Sequence, residues 1–183
     1  MPTPAEIGIS ISSLRRLLKC SPETGKLYWN SRPAEMFTST RAMNSFNARR
    51  ASKPALDCLD CSGYFVGNIG RHRFLAHRVV WALAVGKWPE DELDHINCDP
   101  TDNRIANLRP ADRFQNMQNR KAFSVGVDGL KGISREPNGK KWRAQIRSNG
   151  RYHYLGLFNS AEAAHAAYVE AAVRLNGQFA RAA

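Results

Sequence analysis

Between Asp94 and Asn119 the chain reads DHINCDPTDNRIANLRPADRFQNMQN, an Asp-His pair followed by a series of asparagines in one short polar stretch. Hydrolysis of a phosphodiester at neutral pH needs a general base for water and a cation to offset charge on the phosphorus oxygens and the departing sugar oxygen. His95 can be that base, because imidazole titrates near physiological pH. Asp94 offers a hard carboxylate oxygen, and an amide carbonyl from a later asparagine can complete a site for Mg²⁺ or Mn²⁺. Adjacent side chains on a strand project to opposite faces. One of the pair can therefore face a phosphate while the other reaches toward a metal.

The elements around the pair suit that division. The sequence predicts a strand over 92–96, a loop of turn formers over 97–103, a returning strand over 104–109, and, after Pro110, a polar helix through 113–120. With this outline, the segment resembles the HNH endonucleases, in particular the phage and intron-encoded homing type with Asn at the third motif position. The resemblance places the Asp-His pair at Asp94 and His95, the middle Asn at Asn107 and the third position at Asn116, with Asn119 as its rival. It implies that His95 activates water, Asp94 and Asn116 bind the cation, and Asn107 holds the His-bearing loop. Asp102 and Asn103 read as loop hydrogen bonders. The phrase AHRVVWALAVGKWP is similar to the lead-in of phage HNH proteins and extends the resemblance over most of residues 10–120. Within it, His77 reads as a packed histidine.

Upstream, 11–18 is a helix candidate, 21–25 a turn, 26–29 a strand, 63–69 with 71–75 a hairpin, and 77–85 a helix stopped by Gly86. The stretch 41–50, with Arg41, Arg49 and Arg50, reads as a loop that either contacts phosphate or is simply solvated.

Past Gly126 and Gly129 the pattern changes to short alternating strands and an Ala-rich helix. We expect a nuclease domain over 1–120, a linker over 121–128 and a second domain over 129–183. Strand candidates at 132–135, 141–147 and 151–158 are joined by Pro137-Asn138-Gly139 and Ser148-Asn149-Gly150, and Asn-Gly between alternating runs is a strong hairpin signal. Trp142, Ala144 and Ile146 share one face of the middle strand, and Arg143, Gln145 and Arg147 the other. Ser160 can cap the helix, and Gly177 can stop it.

WRAQIR, YLGLF and the AEAAHAAY run resemble the APETALA-type (ethylene-response-factor-like) DNA-binding domain over roughly 128–180. That resemblance implies a sheet lying in the major groove, with Lys131, Arg135, Gln145, Arg147 and Tyr154 as readers and Trp142 and Arg143 nearby. Ser134, Tyr152 and Gln145 depart from the residues that plant members carry, so no target sequence follows. Trp142 and Tyr154 can also be core aromatics.

Composition supports an anionic partner. There are 27 Lys+Arg against 16 Asp+Glu, a net charge of +11, and a pI of about 10.0. The excess is spread along the chain: 10 basic and 4 acidic residues fall from Lys121 onward, and 17 and 12 before it. Such a field attracts phosphate backbones with salt-sensitive affinity. No run spans a bilayer and the start MPTPAEIGIS lacks a signal-peptide order, so a cytoplasmic protein, in a bacterial host if phage-encoded, is expected. Cys58 and Cys61 have ligand spacing but no second pair, so neither zinc nor a disulfide framework is expected.

The fold expected is α+β: an N-terminal ββα-metal nuclease domain and a C-terminal three-stranded antiparallel sheet packed on one helix. The function expected is a divalent-metal-dependent endonuclease acting on double-stranded DNA and directed to its site by the C-terminal module, with no membrane and no obligatory protein partner. The alternative is a sequence-specific DNA-binding regulator that does not cut. An RNA-binding protein is favoured by charge alone.

Overall fold

The computed structural model describes residues 3, 6, 8–119 and 130–180, and the chain divides into two compact units, Met1–Pro110 and Ala111–Ala183. The expected linker over 121–128 lies outside the described residues.

In the first unit, α1 (Ile11–Leu17) starts at Ser10, whose hydroxyl accepts the Ser13 N–H. It ends one residue earlier than the sequence predicts, because Leu18 opens β1 (Leu18–Ser21). A turn leads to β2 (Lys26–Trp29), and β3 (Pro54–Ala55) completes an antiparallel sheet of order β1-β2-β3. Leu14, Leu18, Leu27 and Trp29 from these elements enter one core with Phe74, Val79, Val80 and Leu108.

The segment expected as a loop at 41–50 is instead α2 (Thr40–Arg50), capped by Ser39 and burying none of its residues. Its apolar residues are too few for a helical stripe, so periodicity could not reveal it. What docks it is polar: the Asn47 amide accepts the Arg32 N–H and donates to the Arg32 carbonyl, both at 2.9 Å.

A second antiparallel sheet, of order β4-β5-β6, contains β4 (Cys58–Leu59), β5 (Phe65–Ile69) and β6 (His72–Leu75). α3 (Ala76–Val85) follows directly and terminates at Gly86 in the left-handed conformation. Buried Arg78 on α3 pairs with buried Glu6 and donates to the carbonyls of Asp91 at 2.9 Å and Pro89 at 3.2 Å. These bonds fix the approach to β7 (Glu92–His95), which pairs with β8 (Leu108–Ala111). The second strand therefore begins four residues later than the predicted 104–109, since Ile105–Asn107 form a 3₁₀ turn.

The second unit begins with α4 (Arg113–Asn119). Asp112 and Gln115 exchange backbone-to-side-chain bonds of 2.9 and 2.8 Å, a reciprocal cap on its first turn. β9 (Ile133–Arg135), β10 (Trp142–Ser148) and β11 (Arg151–Phe158) form an antiparallel sheet of order β11-β10-β9. Asn149 and Gly150, both at positive φ, turn β10 into β11. α5 (Ala161–Asn176), capped by Ser160, lays Ala161, Ala164, Tyr168, Ala171 and Ala172 against Ile133, Ala144 and Ile146. Gly132 sits under Tyr168 so closely that a Cβ would lie 1.9 Å from the ring. Among the described residues no helix is long and apolar enough to cross a membrane.

Candidate active site

Asp94 and His95 end β7, and both are buried, at 5% exposure each. Their side chains diverge, as neighbours on a strand must. Asp94 Oδ2 accepts from Arg109 Nε at 2.8 Å, and the same guanidinium lies 2.7 Å away through Nη2, so a carboxylate sits beside a cation from the paired strand. His95 turns instead toward the following loop, where its Nε2 lies 3.0 Å from Asn103 Oδ1. With that oxygen accepting, Nε2 carries the proton and Nδ1 is the basic nitrogen of the tautomer.

Asn103 is itself buried, at 3% exposure. It is therefore more than the loop hydrogen bonder its surroundings in the sequence suggest. No spacing rule separates it from the asparagines around it, because the contact depends on how the loop closes. That closure rests on Asn107. Its Oδ1 accepts the Asn97 N–H at 3.1 Å, and its Nδ2 donates to Asn97 Oδ1 at 3.0 Å and to the Asp102 carbonyl at 2.8 Å. Asp102 is a loop anion, held down to about 2 chiefly by the hydrogen bond from Arg104. From outside the loop, the Ile105 N–H donates to the Pro22 carbonyl at 2.9 Å, and Gly25 approaches the Asn103 backbone where any Cβ would clash.

The imidazole of His95 packs edge-on against His77, centroids 5.0 Å apart, and lies 5.8 Å from the Tyr64 ring. His77 is buried as the sequence suggests, but it is packed on the candidate base. Burial, reinforced by the neighbouring His95 and Arg78, pulls its pKa down to about 3, so it is neutral at any working pH.

Asn116 and Asn119 lie on α4 in the second unit, one turn apart. Asn119 is buried and Asn116 half-buried. Among the described residues no group of three His, Cys, Asp or Glu side chains is placed to hold a metal, and Cys58 and Cys61 are exposed free thiols. In the first unit the candidate donor is the Asp94 carboxylate. A hard carboxylate oxygen of this kind suits Mg²⁺, which binds through one or two carboxylates and leaves the remaining positions to water and substrate phosphate.

The remaining candidates lie on the C-terminal sheet or, for Lys131, in the turn that leads into it. Arg143, Gln145 and Arg147 share its exposed face, where Tyr154 is paired with Gln145 and is 64% exposed, so it is not a core aromatic. Arg143 pairs with Glu136 at 2.6 Å, and the Arg147 guanidinium lies over Tyr152. Trp142 lies on the opposite face, half-buried against the Ile133 and Ala144 cluster with Arg135 over its ring. Its place is with the packing that supports the sheet. Lys131 Nζ donates to the Gln118 carbonyl at 2.9 Å, and Gln145 and Arg147 line a cavity of about 540 Å³ with Phe114 and Met117 of α4. Gln145 and Arg147 both remain exposed beside it.

Residues 74–118, from β6 to α4, match the sequence profile of the HNH endonucleases. Protein 3.8 of Escherichia phage T7 is 32% identical over 106 residues, which cover 57% of this chain and 87% of that protein. The chain belongs to the HNH endonuclease family. Among solved structures it is similar to the HNH homing endonuclease I-HmuI, whose structure is described as showing DNA binding and cleavage, at 17% identity and a TM-score of 0.41, over 92% of this chain and 90% of that one. The profile match stops at Gln118, so the C-terminal sheet lies outside it.

Proposed function

We propose that the protein is a divalent-metal-dependent endonuclease that hydrolyses phosphodiester bonds in double-stranded DNA and is directed to its site by its C-terminal sheet. The observation that carries this reading is a buried histidine bonded to Asn103, next in sequence to a buried carboxylate, inside the segment that matches the HNH family. His95 takes a proton from the attacking water. Asn103 holds the imidazole in one tautomer, and Asn107 pins the loop that carries Asn103. Asp94, with Asn116 or Asn119, would hold the cation, which when bound neutralises charge on the phosphate and on the departing 3′ oxygen. The sheet's part is supported by a face carrying Arg143, Gln145, Arg147 and Tyr154, and by its resemblance to the APETALA-type domain, in which such a face enters the major groove.

The test is incubation with supercoiled plasmid and Mg²⁺, with and without chelator. Wild type should relax or linearise the plasmid only when metal is present, and His95→Ala should bind duplex with nearly wild-type affinity without cutting it. Full activity in His95→Ala would remove the base assignment. Wild type that binds duplex but never cuts it would favour a DNA-binding regulator.

A further inference from the structure

The first unit contains a second cationic site on another set of elements. A cavity of about 440 Å³ is lined by Trp29 at the end of β2, Arg32 just beyond it, Phe46 and Arg50 on α2, and by Asp57 and Asn68. The Arg32 guanidinium lies 4.1 Å from the Phe46 ring centroid and 5.3 Å from that of Trp29. Its backbone is clamped on both sides by Asn47, so the stacked side chain is fixed in place as well as buried in part.

This arrangement is incomplete as a piece of packing. Arg32 Nε is buried and has no hydrogen-bond partner, which carries a desolvation cost that a stability device would offset with a carboxylate. Among the described residues no carboxylate pairs with Arg32 or with Arg50, and Arg50 lies close enough for its charge to lower the Arg32 pKa further, after burial. Two guanidiniums face one cavity, and Asp57, the carboxylate that lines it, forms no ion pair with either. α2, which buries none of its residues, is tied down chiefly where it presents Phe46 and Asn47 to Arg32. Aromatic rings stacked on an arginine leave its donor edge open and hold it in a defined plane, the geometry that suits a tetrahedral oxyanion.

We propose that this cavity holds a backbone phosphate of the DNA, gripped by Arg32 and Arg50, as an anchor separate from the Asp94-His95 site. The proposal rests on the reading of the protein as a DNA endonuclease and adds a contact made by the N-terminal elements. Asp57 in the lining opposes an anion, so removing its charge should tighten the grip.

The experiment measures duplex binding by fluorescence anisotropy across a salt series, using the full-length chain with His95→Ala to prevent cutting. Arg50→Gln should bind roughly tenfold more weakly, and the slope of log affinity against log salt should flatten by about 0.9 for the one phosphate lost. Arg50→Lys should restore most of the slope, and Asp57→Asn should bind more tightly. Arg32→Gln should follow Arg50→Gln but with a lower melting temperature, so exposed Arg50 carries the test. Arg174→Gln on α5 controls for the loss of one charge. If Arg50→Gln and Asp57→Asn match Arg174→Gln in affinity and slope while the parent still binds, the anchor is refuted and the endonuclease reading stands. If the parent binds no duplex, both fall.

Discussion

At the scale of single residues, the candidate base is bonded through Nε2 to Asn103. With Asn103 Oδ1 accepting from Nε2, Nδ1 is the nitrogen left to act as base, so Asn103→Ala should lower kcat by about 10- to 100-fold, the range that outer partners of metal-ligating histidines show. KM and duplex affinity should change little, and steady-state kinetics with a binding isotherm would show the split. His77 makes a prediction about stability. Its folded pKa of about 3 lies below the ordinary value of 6.5, so the unfolded chain binds a proton in this window while the folded chain does not. Its neutral burial therefore costs nothing above about pH 6.5, and stability is lost as pH falls from there toward 3, at up to about 1.4 kcal/mol per unit. Thermal melts between pH 7 and 4 should show a shallower decline for His77→Phe than for wild type.

At the scale of elements, the loop that follows His95 is held from outside by the β1–β2 turn. Gly25 has φ +68, and a Cβ there would lie 2.2 Å from the Asn103 carbonyl carbon. Gly25→Ala must both strain the turn and push the loop that carries the partner of His95. We expect a loss of ~1–3 kcal/mol in stability from the backbone alone, measured by denaturant unfolding, with a fall in cleavage larger than the fraction unfolded accounts for. Gly70→Ala is the comparison, because it has a similar φ of +63 and nothing within 4 Å. It should lose stability without the additional loss of activity.

At the scale of the whole molecule, the proposed function puts the candidate base in the first unit and target recognition on the C-terminal sheet of the second. Deleting 129–183 should leave a chain that still cuts weakly but has lost its site preference, since base contacts specify and phosphate contacts position. Within the full chain, Gln145→Ala or Arg147→Ala should cost about 1–3 kcal/mol of discrimination at particular bases. Exposed Lys140 and Lys141 should behave differently when changed to Gln, weakening all sequences alike and flattening the salt dependence. Cleavage-site mapping on a mixed-sequence substrate distinguishes these outcomes. An unchanged site preference in the truncated chain would move specificity to the N-terminal unit.

The sequence by itself determined whatever is set by neighbours along the chain. Gly86 stops α3, Ser160 starts α5, Asn149-Gly150 turns β10 into β11, and the alternation from Trp142 to Ser148 divides the strand into a packed and an open face. It also brought Asp94 and His95 together, because adjacent residues need no fold to meet. Only the tertiary structure decided what each of them touches. Arg109 reaches Asp94 through strand pairing, and Asn103 reaches His95 through a loop that Asn107 and Gly25 shape from two sides. α2 escaped the sequence reading for the same physical reason. It has no apolar stripe to register as a period, and it is docked by an amide on the backbone of Arg32 and a ring under its guanidinium, contacts between residues 14 and 15 positions apart that no local pattern encodes.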